Sequence, residues 1–212
     1  MENKKLWKDQ KQGFVDSLVY LKGRMDGHIR SLKTPWEKFN DATTDGLEWH
    51  SMTVIGGRPG SGKTLIKDQI VRESFKLNPD EKFRVLEFQF EMLARTSAIR
   101  EFSSVLGKSY KYLCSADGKL SNEDLAVCYE HAKERVKIPI DIVEEPLTVN
   151  ELRETITAYM NHHAVKNEDG TVDFTKTVVT LDHSLLLKKA PFEKDKFDTL
   201  YNLGEMVTEL KI

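Results

Sequence analysis

Cysteine is scarce in this 212-residue chain. There are two, Cys114 and Cys128, with no C-x-x-C spacing. The simple reading is a reduced cytosolic protein with both as core or surface thiols. Long apolar runs are absent as well. No stretch approaches the roughly 20 apolar residues of a membrane span, and Met1 to Lys5 lead into no apolar segment of the signal-peptide kind. An excess of charge is also missing: 32 basic residues against 34 acidic ones leave a net −2. Bulk charge therefore does not announce nucleic-acid binding, and any such surface must be local. Neither an internal repeat nor a low-complexity tract is visible. The length fits one domain, or one with an appendage, and at 39% hydrophobic content a core requires both faces of a sheet to be covered.

What is present is a phosphate-binding pattern. Gly57-Arg58-Pro59-Gly60-Ser61-Gly62-Lys63-Thr64 follows the apolar run Met52-Thr53-Val54-Ile55 and precedes a helical pattern that starts near Lys63. Residues 52–55 are apolar enough to predict a first strand buried on both faces. A strand, a glycine-rich turn and a helix are the context a P-loop requires. The glycines let backbone N–H groups turn inward, and the following helix brings its positive end to the phosphates. An ordinary glycine turn does not explain why Lys and Thr follow the last glycine. In ATP binding, Lys63 is expected to reach the β- and γ-phosphates and Thr64 to ligate Mg²⁺.

The rest of the chain alternates. Phe14, Leu18, Leu21 and Met25 have helical spacing, and residues 31–50 read as irregular. Such a lone amphipathic helix packs on its own core or docks on another subunit. The P-loop helix should run to about Leu77, where Asn78-Pro79 stops it. A second strand over 84–90 leads into Glu91-Met92 and a helix with Ala98, Phe102 and Val105 on one face. Residues 107–120 read as a loop. Ser121 and Asp124 form a capping box that opens a helix with Leu125, Tyr129, Ala132 and Val136 on one side. A third strand over 138–143 precedes a second capping box, Thr148 and Glu151, with Leu152, Ile156 and Tyr159 inward. Asn167 to Gly170 is a turn, 177–181 a fourth strand ending in Asp182, and 188–196 a charged loop. A last helix carries Leu200, Leu203, Val207 and Leu210. Four alternations predict an α/β fold, a mostly parallel sheet with helices on both faces.

Three further features bear on chemistry. Asp182 ends an apolar strand, where an acid that supports magnesium belongs once a P-loop lies upstream; otherwise it is an exposed strand-end acid. Glu91 has two readings that the residues alone leave open: a general base for the attacking water, or an acid favoured by a helix N-terminus. Lys188, Lys189, Lys194 and Lys196, with Phe192 among them, suit a grip on a single strand, although Glu193 and Asp195 dilute the loop and most lysine-rich loops are solvated surface. His162 and His163 read as a solvated helix end. His183, beside Asp182, could sense nucleotide, meet a partner or simply pack.

In this order the residues resemble the RecA-type motor domain of DnaB-class replicative hexameric helicases. Val54 to Thr64 resembles that family's phosphate loop, including the Arg58-Pro59 pair. Phe88-Gln89-Phe90-Glu91-Met92 resembles its Phe-Ser-Leu-Glu-Met segment, whose glutamate is the catalytic base. Pro146-Leu147-Thr148-Val149-Asn150-Glu151-Leu152-Arg153 resembles its Pro-x-Leu-Thr-x-x-Glu-Leu-Arg stretch, and Leu181-Asp182-His183 its phage and mitochondrial branch. Asp26 to Arg30 and Lys33-Thr34-Pro35-Trp36 look like its linker and run-in. The resemblance departs at Leu185, where the bacterial enzymes carry glutamine, in the lack of a primase-binding or primase domain, and at the end of the sequence, where the family continues into a γ-phosphate sensor, a second DNA-facing loop and an arginine finger.

The resemblance implies a linker-helix region over 1–30, docking on a neighbouring subunit, and a RecA-like P-loop NTPase domain over 31–212 that is incomplete at its C-terminal end. It implies an ATP hydrolase acting on single-stranded DNA in the cytoplasm of a bacterial or phage-infected cell, hexameric at full length, with a primase or loader as possible partner and no membrane contact. Gly57, Arg58, Pro59, Gly60, Ser61, Gly62, Lys63, Thr64 and Asp182 would bind the nucleotide, Thr64 and Asp182 the magnesium, Lys63 and Glu91 would serve catalysis, and Lys188, Lys189 and Lys194 would touch DNA. The alternatives are a nucleotide-binding scaffold with little turnover, a RecA-like recombination ATPase, or, least well supported, a small P-loop kinase.

Overall fold

Hydrophobic spacing and caps set the elements. In a computed structural model that describes residues 9–210, the order is α1 (Gln10–Met25), α2 (Glu37–Ala42), α3 (Lys63–Leu77), β1 (Phe83–Gln89), α4 (Ala94–Leu106), α5 (Tyr110–Leu113), α6 (Asn122–Arg135), β2 (Ile140–Val143), α7 (Val149–His162), β3 (Val165–Lys166), β4 (Val172–Asp173), β5 (Lys176–Asp182), a 3₁₀ turn (Ser184–Leu186) and α8 (Lys196–Leu210). The outer ends of the two expected regions, and Met1 to Lys5, lie outside the described residues. Both capping boxes form reciprocally: Ser121 with Asp124 opens α6, and Thr148 with Glu151 opens α7.

β1 is the middle of a three-stranded parallel sheet in the order β2-β1-β5. Its side chains alternate between two cores, as a strand's period of two dictates. Phe83 and Val85 face α3, where Val71 is buried and Phe75 stacks on Phe83 at 4.3 Å. Leu86 and Phe88 face the opposite way onto Val149, Leu152 and Ile156 of α7 and Met206 of α8. Helices therefore cover both faces, as the alternation predicted. Asn167 to Gly170 forms the turn of a small antiparallel hairpin, β3–β4.

Four expectations need correction. Residues 52–55 form no strand: Met52 is 54% exposed and Val54 76%. A strand exists only through a hydrogen-bonded neighbour, and among the described residues β5 pairs only with β1 and nothing pairs with 52–55; apolar composition signals burial but supplies no partner. Residues 31–50 are not irregular throughout, because they hold α2 and a bridge between Leu32 and Leu47, with Leu32 buried in the α3-side core. Residues 107–120 contain α5, capped by Ser109. The inward faces of two helices also differ from the expected ones. On α4, Ile99, Phe102 and Leu106 are partly covered while Ala98 and Val105 are exposed. On α6, Cys128 is buried whereas Leu125, Tyr129 and Val136 are exposed. Polar pairing turns α6: Lys108 meets Asp124 at 2.5 Å, and Glu101 of α4 takes both His131 at 2.6 Å and Arg135 at 2.9 Å.

Candidate nucleotide site

The P-loop turn is shaped by close approach and by backbone hand. A β-carbon on Gly57 would sit 2.5 Å from the Ser61 hydroxyl, so only glycine fits there without movement. Gly62, the N-cap of α3, has φ +90°, a left-handed conformation that glycine adopts without a steric penalty. Gly60 turns the loop two residues earlier, and the Ser61 N–H closes it on the Arg58 carbonyl at 3.1 Å. No side chain caps α3, so the positive end of the helix is left to a ligand. Lys63 reaches back over the loop, its Nζ donating to the carbonyls of Gly57 and Arg58 at 3.1 and 3.2 Å. The ammonium thus stands at the loop itself, beside the first turn of α3. Arg58 and Pro59 are exposed.

β5 brings Asp182 to the same point. The Thr64 hydroxyl lies 3.3 Å from both Asp182 carboxylate oxygens, across 118 residues of sequence. One hydroxyl and one carboxylate form a hard-oxygen pair that leaves most of an octahedral sphere to water and phosphate, which is the donor chemistry Mg²⁺ prefers. Among the described residues no group of three or more His, Cys, Asp or Glu could hold a metal by itself, as expected for an ion completed by its nucleotide. The register pairs Gln89 with Asp182. Glu91 follows Gln89 by two residues, so it leaves the carboxyl end of β1 at the sheet edge where Asp182 stands, and it is exposed. His183 has φ +63°, a conformation rare for a residue with a bulky side chain and a form of local strain found where sites are over-determined.

A buried polar chain beneath the loop escaped sequence reasoning. Lys67 of α3 meets Glu87 of β1 at 3.1 Å and Asp68 at 2.8 Å. Gln89 donates to Glu87 at 3.1 Å and accepts from the Ser97 hydroxyl of α4 at 3.2 Å. Burial alone would lower the Lys67 pKa, but Glu87 and Asp68 outweigh it and hold the ammonium above the ordinary lysine value. On its other side, the start of α4 has no cap of its own; the Glu144 carboxylate accepts the Ala94 N–H there at 2.6 Å. The segment carrying Glu91 is thereby tied at both ends. The available signal was Glu87 itself, an acid inside an apolar strand that demands a buried partner.

The basic loop is held differently from a solvated one. Lys188, Lys194 and Phe192 are exposed, whereas Lys189 donates to the Lys194 carbonyl at 3.2 Å. Glu193 and Asp195 do not dilute it. Glu193 is buried, and Asp195 caps α8 by accepting the Phe197 and Asp198 N–H groups at 2.8 and 3.2 Å. His162 and His163 lie at the C-terminal end of α7 with their rings in edge contact and form no metal cluster among the described residues.

A P-loop beside a parallel sheet, with a strand-end carboxylate against its threonine, defines a P-loop NTPase with a RecA-like α/β fold. The family follows from comparison: residues 31–199 match the model of the DnaB-like helicase C-terminal domain, and the chain belongs to that family, the ATP-hydrolysing motor domain of replicative helicases. No curated protein matches the chain. Among solved structures it is similar to the ATPase domain of a DnaB-like replicative helicase, with TM-score 0.71 and 17% identity over 93% of this chain and 67% of that one. It is also similar to a DnaB-like replicative helicase described with its interactions with primase, with TM-score 0.69 and 17% identity over 93% of this chain and 46% of that one. At that identity the likeness speaks for the fold. No helix among the described residues is long and apolar enough to cross a membrane.

Proposed function

We propose that this chain binds Mg²⁺-ATP between Gly57 and Thr64 and hydrolyses it to drive a ring helicase along single-stranded DNA. The observation that carries the reading is the meeting of Thr64 and Asp182 at 3.3 Å, at the mouth of the P-loop. Lys63 holds the β- and γ-phosphates, Thr64 and Asp182 hold the magnesium, and Glu91 orients and deprotonates the attacking water. Bound magnesium would neutralise charge on the phosphate oxygens. Lys188, Lys189 and Lys194 face the DNA, with Lys189 contributing only what its contact with Lys194 leaves free. The test is steady-state ATP hydrolysis by the full-length protein with and without single-stranded DNA. Stimulation is expected, and no hydrolysis under either condition would overturn the reading.

The ring is supported by α1. Phe14, Leu18, Leu21 and Met25 are all strongly exposed, and no residue of this 16-residue helix is buried. An apolar stripe of that length is unstable in water unless something covers it. A neighbouring subunit is the proposed cover, in a hexamer working in the cytoplasm with a primase or loader. Leu18→Glu together with Leu21→Glu is expected to shift the full-length protein from rings toward monomers in sedimentation velocity. Rings of unchanged size would remove α1 from the subunit contact.

A further inference from the structure

The loop between the 3₁₀ turn and α8 is built around a carboxylate rather than around its lysines. Ala190-Pro191-Phe192-Glu193 is a tight turn closed twice. The Glu193 N–H donates to the Ala190 carbonyl at 3.0 Å, and the Ala190 N–H donates to the Glu193 carboxylate at 2.8 Å. α8 completes the set, with the Thr199 hydroxyl donating to the same oxygen at 2.8 Å and the Asn202 amide to the other at 2.7 Å. Glu193 is 4% exposed, and Leu187, Ala190 and Thr199 are buried around it. Burial alone would raise its pKa; the bonds from Asn202, Ala190 and Thr199, with Lys196 nearby, outweigh that and hold it below the ordinary glutamate value.

Other bonds fix the arms. The Lys188 N–H donates to the Leu147 carbonyl at 2.7 Å, the Lys194 N–H to Asp198 at 2.7 Å, and the Lys196 ammonium to the Leu187 carbonyl. What points outward is the Phe192 ring, 69% exposed, with the side chains of Lys188 and Lys194.

We propose that Glu193 is a positioning residue that holds residues 187–195 as a preformed grip, presenting the Phe192 ring for base stacking and Lys188 and Lys194 for phosphates of a single strand. The proposal rests on the reading of this loop as DNA-facing. Its logic is entropic: a free loop must be ordered when the strand binds, and a pinned loop has already been ordered by folding. It also has a sign opposite to simple electrostatics. An acid among lysines weakens phosphate binding, so charge alone says that removing Glu193 should tighten it.

The experiment titrates full-length protein with oligothymidylate over a range of salt, and follows limited trypsin cleavage after Lys188, Lys189 and Lys194 without DNA. Glu193→Ala is expected to weaken binding about tenfold and to speed cleavage about tenfold. Glu193→Gln keeps an oxygen for Ala190 and Thr199 and meets Asn202 with its amide flipped, so it should stay within about twofold in both readouts. Asn202→Leu removes one donor and leaves the turn closed, so about threefold losses are expected and remain measurable if Glu193→Ala does not fold. Tighter binding by both Glu193 variants, or unchanged cleavage in Glu193→Ala and Asn202→Leu, would overturn the proposal. Lys188→Ala with Lys194→Ala separates the two ideas. A shallower salt slope there, with Glu193 and Asn202 variants binding like wild type, leaves the DNA reading standing and ends the positioning role. An unchanged slope ends both.

Discussion

Glu91→Gln is expected to lower kcat for ATP hydrolysis about 100- to 10,000-fold while nucleotide affinity stays within about threefold. The argument is one of position and of chemistry. Glu91 leaves β1 two residues beyond Gln89, whose neighbour in the sheet is Asp182, and the turn carrying it is tied to Ser97 through Gln89 and to Glu144 through Ala94. A glutamine there fills the same space and can hold a water, but it cannot take a proton. Lys63→Ala should behave differently, because its ammonium stands at the loop carbonyls of Gly57 and Arg58. It should lose nucleotide affinity and turnover together. Equilibrium binding of a fluorescent ATP analogue, measured beside steady-state turnover, separates the two patterns. Normal turnover in Glu91→Gln would return that residue to a helix N-terminal acid and no more.

Glu87→Ala is expected to cost about 3 kcal/mol of folding stability, the low end of the range for breaking a buried ion pair. The Lys67 and Glu87 side chains are 13% and 8% exposed. Removing the carboxylate leaves a desolvated ammonium with Asp68 as its remaining partner at 2.8 Å, which keeps the loss from being larger. In a chain of this length that corresponds to a midpoint lowered by about 6–12 °C. The double change Lys67→Met with Glu87→Leu should recover most of the loss, because apolar side chains of similar volume need no partner. The pair's pH dependence has a definite sign. The Lys67 pKa is raised by folding, so its contribution is complete below the ordinary lysine value and disappears only as pH climbs above it, in strongly alkaline solution. Urea unfolding of the single and double variants near neutral pH measures the cost. A loss below about 1 kcal/mol in Glu87→Ala would mean that water reaches the pair.

The parts legible in the sequence were those fixed by local stereochemistry. The P-loop turn follows from which residues tolerate its backbone, and α6 and α7 begin where their capping boxes say because each box satisfies its own orphan N–H groups. β1 and β5 were readable because buried strands need unbroken apolar runs. Residues 52–55 carry the same signal and form no strand, since pairing is a property of two segments. The inward face of α6 was hidden for a related reason. Its covered side carries Asp124, His131 and Arg135, whose partners Lys108 and Glu101 lie elsewhere in the chain. Of the site, the Thr64–Asp182 meeting could be anticipated from motif order. The Lys67–Glu87–Gln89–Ser97 chain and the burial of Glu193 could not, because a charge in isolation reads as solvated.

The short stretch between Asp182 and Lys188 has a mechanical consequence. It joins the carboxylate beside Thr64 to the first lysine of the loop, and most of it is wound into the 3₁₀ turn Ser184–Leu186. Leu187, fully buried against α7 and α8, fixes the far end. A wound segment anchored at both ends has little slack, so it behaves as a strut rather than a tether. Travel at the nucleotide end arrives at the loop as travel, and the stroke is set by the length of that strut rather than by the flexibility of the chain.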